Sequence, residues 1–273
     1  VTTVATLSKT PIEGYKVHDV EVLVKREDLC WPFPPLSKAR GVYAAMEARP
    51  DVRVMAVVDT GRSLNGQLVA TIGLTLGRKV LVGYPQYVGD PEAIPGPCLA
   101  VRSLGVPLVP LVAGRQFTMR YEMANHLIQQ VYEPWFLFPT GLRLPETVAA
   151  VEAETREAVG EANPGCVVVP TGTGTHLAGV LRGFEGHVIA VQGYAREEQR
   201  FRREVERMAG LGPCIQNRLR VVTSMCDYYE NRAERLPPFP AHAHYEVRAW
   251  AWMHTPGVME TLRQPVLMWN IGA

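Results

Sequence analysis

Lys38 stands in the stretch Ser37-Lys38-Ala39-Arg40-Gly41, where an apolar helical period begins, so the spacing puts a lysine at the start of a helix. The positive end of a helix disfavours an ammonium, which helps the side chain act as the amine nucleophile of a Schiff base. Read alone, the same lysine is more often an ordinary solvated residue. A second segment, Pro170-Thr171-Gly172-Thr173-Gly174-Thr175-His176, follows a β-branched run and opens another helix. Its glycines let the backbone curl so that several N–H groups face one centre, and the helix end adds positive potential, an arrangement that suits a phosphate. The plainer reading is a tight strand-to-helix turn. It lacks the G-x-x-x-x-G-K-[ST] of triphosphatases, and Leu177 takes the place of the third glycine of G-x-G-x-x-G. The third segment runs from Asp59 through Ser63 and Asn65 to Gln67. Its small polar residues would meet a carboxylate or phenolic oxygen, or would merely cap a helix.

These segments must be positioned by alternating elements. Short apolar runs over 20–24, 52–58, 79–83, 107–112, 166–169, 187–191 and 266–269 read as strands. Stretches over 37–48, 66–76, 117–131, 146–162 and from about Leu177 read as helices. Proline-dense stretches over 31–35, 90–97 and 236–240 read as loops, the last running over the surface past His242 and His244 to a final helix. Strands alternating with helices predict an α/β protein with parallel sheets flanked by helices. The expected division is a small lobe over 45–145 and a larger lobe built from 1–44 and 146–273.

With 273 residues, 47% of them hydrophobic and 20% charged, the chain has the composition of a globular protein large enough for two lobes. A formal net charge of +1 gives the whole chain no electrostatic bias towards nucleic acid or anionic lipid. The arginine-dense stretch 196–207 also holds Glu197, Glu198, Glu204 and Glu206 and reads as a solvated helix face. Five scattered cysteines form no C-x-x-C pair and no metal spacing, so no metal site and a reducing, cytoplasmic setting are expected. No run is long enough to cross a membrane. Serine hydrolysis lacks a G-x-S-x-G elbow, and zinc hydrolysis lacks H-E-x-x-H. Tyr228 and Tyr229 would line a cleft or simply pack, and His242 with His244 reads as plain loop.

In order along the chain, these segments resemble the fold-type II pyridoxal-phosphate (PLP) enzymes of the tryptophan-synthase-β kind. The nearest look is to the branch of 1-aminocyclopropane-1-carboxylate (ACC) deaminase and D-cysteine desulfhydrase. Thr10-Pro11-Ile12-Glu13 is similar to that branch's Thr-Pro-Leu entry, and Lys25-Arg26-Glu27-Asp28 to its Lys-Arg-Glu/Asp-Asp segment. Ser37-Lys38-Ala39-Arg40 matches Asn-Lys-x-Arg, whose lysine binds PLP. Arg62-Ser63-Leu64-Asn65 stands where the branch has Gln-Ser-Asn-His. Ser63 matches a substrate-touching serine, while Leu64 falls where an asparagine meets the cofactor's 3-oxygen unless a shift of one restores Asn65. Gly172-Thr173-Gly174-Thr175-His176 resembles the phosphate loop with one residue missing. At the end of the chain a hydroxyl that meets the pyridine nitrogen is lost, and Asn270 stands as its replacement.

The resemblance implies a two-lobed fold, a homodimer and a PLP site in the cleft between the lobes, with Lys38 as Schiff-base residue and proton shuttle. The implied activity is a lyase or deaminase reaction on a small-molecule amino acid or amine. Short relatives in bacteriophages imply an alternative, decarboxylating or otherwise tailoring amino-acid-modified thymidine in DNA. A further alternative is a non-catalytic relative that has kept the fold.

Overall fold

The computed structural model describes residues 8–30, 33, 36–87, 89–90, 93–193, 196–212, 215, 217–223 and 235–272. Tyr228, Tyr229, Cys214 and Cys226 lie outside the described residues. The chain divides into two compact units, one formed by Val1–Gly41 with Pro145–Ala273 and the other by Val42–Leu144.

The first unit holds a six-stranded sheet made of β1 (Ile12–Val17), β2 (Val20–Arg26), β7 (Cys166–Thr171), β8 (His187–Gln192), β9 (Leu219–Val222) and β10 (Val266–Asn270). Its order is β1-β2-β10-β7-β8-β9. Only the β1–β2 hairpin is antiparallel; the other pairs are parallel. Every residue of β7 and β10 is buried, because helices cover both faces, and this is why Cys166-Val167-Val168-Val169 reads as an unbroken apolar run rather than an alternation. On one face lie α5 (Pro145–Ala162), α6 (Thr175–Gly183) and α7 (Glu198–Ala209), closing over Val167, Val169, Ala190, Leu267 and Trp269. On the other, α8 (Glu246–Met253) and α9 (Val258–Thr261) bring Trp250, Met253 and Met259 against Val168, Ile189 and Met268.

The second unit is a parallel sheet of β3 (Val54–Val58), β4 (Lys79–Gln86), β5 (Leu108–Val112) and β6 (Trp135–Leu137) in the order β5-β4-β3-β6. The helix α4 (Gln116–Gln130) packs Met119, Met123 and Leu127 on Ala56, Val109 and Leu111. The helix α2 (Asn65–Thr75) comes close enough to β4 that a side-chain carbon on Gly73 would collide with Val80. The first nine-residue helix, α1 (Ala39–Glu47), runs from one unit into the other.

Three differences from the sequence reading have physical causes. The stretch 90–97, read as loop from its prolines, ends in α3 (Gly96–Ser103), with Pro95 as N-cap and Pro97 in the first turn; there the missing N–H has no partner to lose. The helix expected from about Leu177 has its first residue at Thr175, directly after the left-handed Gly174. The segment 236–244, expected on the surface, buries Phe239 and His244, and Phe239 is held by ring contacts with Tyr15 and Trp250.

Candidate active site

The carboxyl ends of β2, β10, β7 and β8 share one edge of the six-stranded sheet. The chain steps from β7 outward to β8 and β9, then returns on the other side of β7 as β10. The edge between β7 and β10 is therefore a topological switch point, where crossovers diverge and leave room for a ligand.

The loop Gly172-Thr173-Gly174 leaves β7 at this edge and enters α6. Gly174 has φ 83°, and a side-chain carbon there would stand 2.7 Å from Val205 and 3.2 Å from Phe201. One on Gly172 would stand 2.8 Å from the Tyr245 hydroxyl. Both glycines are therefore dictated by close packing, and Gly174 by left-handed backbone as well. The hydroxyls of Thr173 and Thr175 lie 3.2 Å apart. The loop is tied down from outside: Gly193 N–H donates to the Thr171 carbonyl at 2.8 Å, and Arg196 donates to the Gly172 carbonyl at 3.1 Å.

His176, in the first turn of α6, is buried with neither ring nitrogen hydrogen-bonded among the described residues. Its ring meets Trp269 at 5.3 Å between centroids. Burial, and after it the charge of Lys38, pushes its pKa down to about 3, so the imidazole is neutral. The Trp269 indole nitrogen and both amide atoms of Gln192 are likewise buried without partners among the described residues. Trp269 and Gln192 point from β10 and β8 to the face that α6 covers, since strand side chains alternate and both keep the parity of core neighbours there.

Lys38 immediately precedes α1 and is half-buried. The N–H of Ser37 donates to the Ile271 carbonyl at 3.0 Å, which brings the lysine's backbone to the end of β10. Two residues on, Arg40 is clamped by Glu27 at 2.6 Å, Glu154 at 3.0 Å and the Ser8 carbonyl at 2.7 Å. Lys25, fully buried, donates to the Thr10 carbonyl at 2.6 Å and lies 3.5 Å from Glu154 and 3.9 Å from Glu27. The two cations and two carboxylates balance, and together they fix the chain on both sides of Lys38. Gly41 completes the seat, because any side chain there would strike the backbone of Thr147 on α5.

Asn270 sits at the same edge, fully buried. Its amide donates to Asp28 and to the Pro240 carbonyl, each at 2.9 Å, and its oxygen accepts from Gly272 N–H at 3.0 Å. Both donors are spent on the protein, and one acceptor lone pair is left. Asp28 in turn accepts from Arg26 at 2.7 Å, and Arg26 also binds Glu13.

Sequence reasoning misses Glu246, since nothing in Glu-Val-Arg-Ala-Trp marks it. It is fully buried, accepting from Ile271 N–H at 2.8 Å and His242 N–H at 3.0 Å. Burial drives its pKa up to about 8 against the pull of those hydrogen bonds. It thereby joins the end of β10 to the segment carrying Tyr245, whose ring crosses both Gly172 and Gly193.

Ser63 and Asn65 belong to the other unit, at the start of α2. The Ser63 hydroxyl accepts from Asn65 N–H at 3.1 Å. Asp59, buried at the end of β3, accepts from Thr60 N–H at 2.6 Å and Gly66 N–H at 2.7 Å, and burial raises its pKa to about 6. The polar residues of this segment thus hold their own turn. Among the described residues no group of three or more His, Cys, Asp or Glu side chains could hold a metal, and no helix is long and apolar enough to cross a membrane. Cys30, Cys98 and Cys166 are free and buried.

Residues 6–222 match the family model described as pyridoxal-phosphate dependent enzyme. The chain is 34% identical over 280 residues to the glycyl-dTMP PLP-dependent decarboxylase of Pseudomonas phage M6, covering 97% of this chain and 99% of that protein. Among solved structures it is similar to an ACC deaminase homologue, with TM-score 0.79 and 16% identity over 97% of this chain and 89% of the other. Threonine deaminase isoform 2 from Solanum lycopersicum, in its processed form, matches with TM-score 0.68 and 16% identity over 98% and 84%. At such identities these structures establish the tryptophan-synthase-β-like α/β fold, as the resemblance implied.

Proposed function

We propose that this chain, which belongs to the pyridoxal-phosphate dependent enzyme family, removes the carboxyl group of an amino acid carried on a thymine nucleotide. Its cofactor is pyridoxal 5'-phosphate. The carrying observation is the end-to-end similarity to a glycyl-dTMP decarboxylase, 34% identical over 97% of the chain. The deaminase-like structures are each 16% identical and speak for the fold alone.

The residues at the edge of the six-stranded sheet fit the cofactor. The two glycines leave a cradle at the positive end of α6 that a side chain would fill, and His176 and Gln192 carry buried polar atoms still lacking partners beside it. In this reading the N–H groups of 172–175 with the Thr173 and Thr175 hydroxyls hold the phosphate, and Lys38 is the amine that carries the aldehyde. When bound, the cofactor supplies an electron sink for the pair left on the α-carbon as carbon dioxide departs. Lys38 then returns a proton to that carbon. His176, held neutral, places no second positive charge beside the lysine. Asn270 braces the end of β10 by its bonds to Asp28 and Pro240.

A cytoplasmic, homodimeric enzyme completes the reading, and light scattering on the purified protein tests the dimer. The decisive assay incubates the PLP-loaded protein with glycyl-dTMP and follows carbon dioxide and ammonia separately. Carbon dioxide release, abolished in Lys38→Ala together with the cofactor's near-visible absorbance, is expected. Ammonia without carbon dioxide would refute decarboxylation.

A further inference from the structure

The helix α4 turns one apolar face inward and leaves a second one open. Met119, Met123 and Leu127 line the inner face. At about 100° per residue, Phe117, Tyr121, Ala124 and Ile128 fall within about 60° of one another on the outer side. Tyr132 follows just past the end of the helix. Phe117, Tyr121, Ile128 and Tyr132 are 82%, 63%, 67% and 97% exposed. The charged neighbours turn back to the fold: Glu122 accepts from Val112 N–H at 3.0 Å, and Arg120 donates to the Leu137 carbonyl at 3.3 Å. A fully open aromatic side chain presents about 150–250 Å², so the four exposed side chains offer on the order of 600 Å². That reaches the upper limit of the largest apolar patch on a typical monomer, about 300–600 Å². It approaches the roughly 800 Å² that each partner gives to a stable interface.

The arrangement of the stripe is complementary to itself. Phe117 and Tyr132 stand equally far along the chain from the midpoint between Ala124 and Asn125, and so do Tyr121 and Ile128. A two-fold axis at that midpoint therefore sets Tyr121 against the partner's Ile128 in an antiparallel helix pair, and the reverse contact follows by symmetry. The small Ala124 lets the two helices approach closely where they cross. Beside Tyr132 a cavity of about 480 Å³ opens between Val80, Leu81, Pro107 and Val131. A cavity of about 150 Å³ is enough to hold a benzene molecule, and the same register carries the partner's Phe117 to the mouth of this one. The two charged residues on its lining, Lys79 and Glu133, pair with each other at 2.8 Å. The cavity lies at the amino ends of β3 and β4, at the opposite end of this sheet from Asp59, so a contact there does not cover the Ser63 segment.

We propose that the outer face of α4 joins two copies of this chain across a two-fold axis at Ala124, each copy lodging Phe117 in the other's cavity. This deepens the homodimeric reading above and rests on it, and it is independent of the bond that the enzyme cleaves.

The test is light scattering on the PLP-loaded protein after size exclusion. Y121D/I128D places four carboxylates against one another across the axis. It is expected to halve the mass and to raise the dissociation constant of the assembly by roughly tenfold or more, with cofactor absorbance unchanged. Ala124→Cys gives a second readout that does not depend on weakening the fold. Helices packed about 8–10 Å apart bring facing Cα atoms within disulfide reach, so mild oxidation should link two chains at this position. Wild type, whose described cysteines are buried, is the control. A wild-type dimer that Y121D/I128D leaves intact, or Ala124→Cys that does not cross-link, would overturn this contact and keep the homodimer. A wild type of one-chain mass would overturn both, and binding to phosphatidylcholine vesicles lost in Y121D/I128D would then assign the face to a lipid surface.

Discussion

Glu27→Gln should cost this protein a large share of its stability while leaving the shape of the side chain almost unchanged. Glu27 is buried with Arg40 at 2.6 Å and the fully buried Lys25 at 3.9 Å, and it also accepts from the Thr10 hydroxyl at 2.6 Å. At an effective dielectric near 20, those separations correspond to roughly 6 and roughly 4 kcal/mol of attraction. Repulsion from Glu154, which the change relieves, and relaxation around the site take back much of this. For one member removed from a buried ionic group, the net is about 3–5 kcal/mol. For a chain of this size each kcal/mol moves the thermal midpoint by roughly 2–4 °C, so a fall on the order of 10 °C is expected. Calorimetry on the cofactor-free protein measures it without help from a bound ligand. Because Arg40 lies two residues beyond Lys38, the same variant should load PLP more weakly, read as a rise in the concentration needed to saturate the near-visible absorbance. A midpoint within about 2 °C of wild type would refute the view that this ionic group fixes the chain around Lys38.

Gly174→Ala must place a carbon 2.7 Å from Val205 on backbone at φ 83°. The left-handed conformation costs about 1–2 kcal/mol and the overpacking about 1–3 kcal/mol. Urea unfolding should show the sum, and equilibrium dialysis a weaker hold on PLP. Glu246 has a pKa of about 8 folded against an ordinary 4.5. The folded state therefore keeps its proton where the unfolded state has lost it. Its contribution is complete below pH 4.5, declines by about 1.4 kcal/mol per unit from there to about pH 8, and is flat above. Urea titrations across that window should show a shallower decline in Glu246→Gln; parallel profiles would contradict the assignment.

What could be read from the chain depended on whether a signal was local. The run 166–169 is apolar on both faces because the strand is covered on both sides, so strand and parallel sheet were legible together. The loop 172–175 was legible because tight turns demand glycine wherever they occur. The seat of Lys38 was only half legible: Lys25, Glu27 and Arg40 stood out as a motif, but their partner Glu154 comes from the middle of α5, where a glutamate is the most ordinary of residues. Glu246 was invisible for the same reason, since its meaning lies in the N–H groups of His242 and Ile271. The partners of Asn270 were equally hidden. Its place at the end of β10 was legible, but not that the fold spends both of its donors on Asp28 and Pro240.

The electrostatics of the edge argue for its use as one assembly. A phosphate brings close to two negative charges, so any ionised carboxylate beside the loop would oppose it. Glu246 is kept protonated by burial up to about pH 8, and the charge of Asp28 is spent on Arg26. Buried His176 stays neutral, so it does not compete with Lys38 for the role of local cation. In the proposed reading the positive end of α6 holds the phosphate and Lys38 presents the amine. Burial thus silences Glu246 and His176, and an ion pair offsets Asp28, where each would otherwise blur the distinction. Restoring one of them, by opening a path for water to Glu246, should weaken PLP binding above pH 5 while sparing it below.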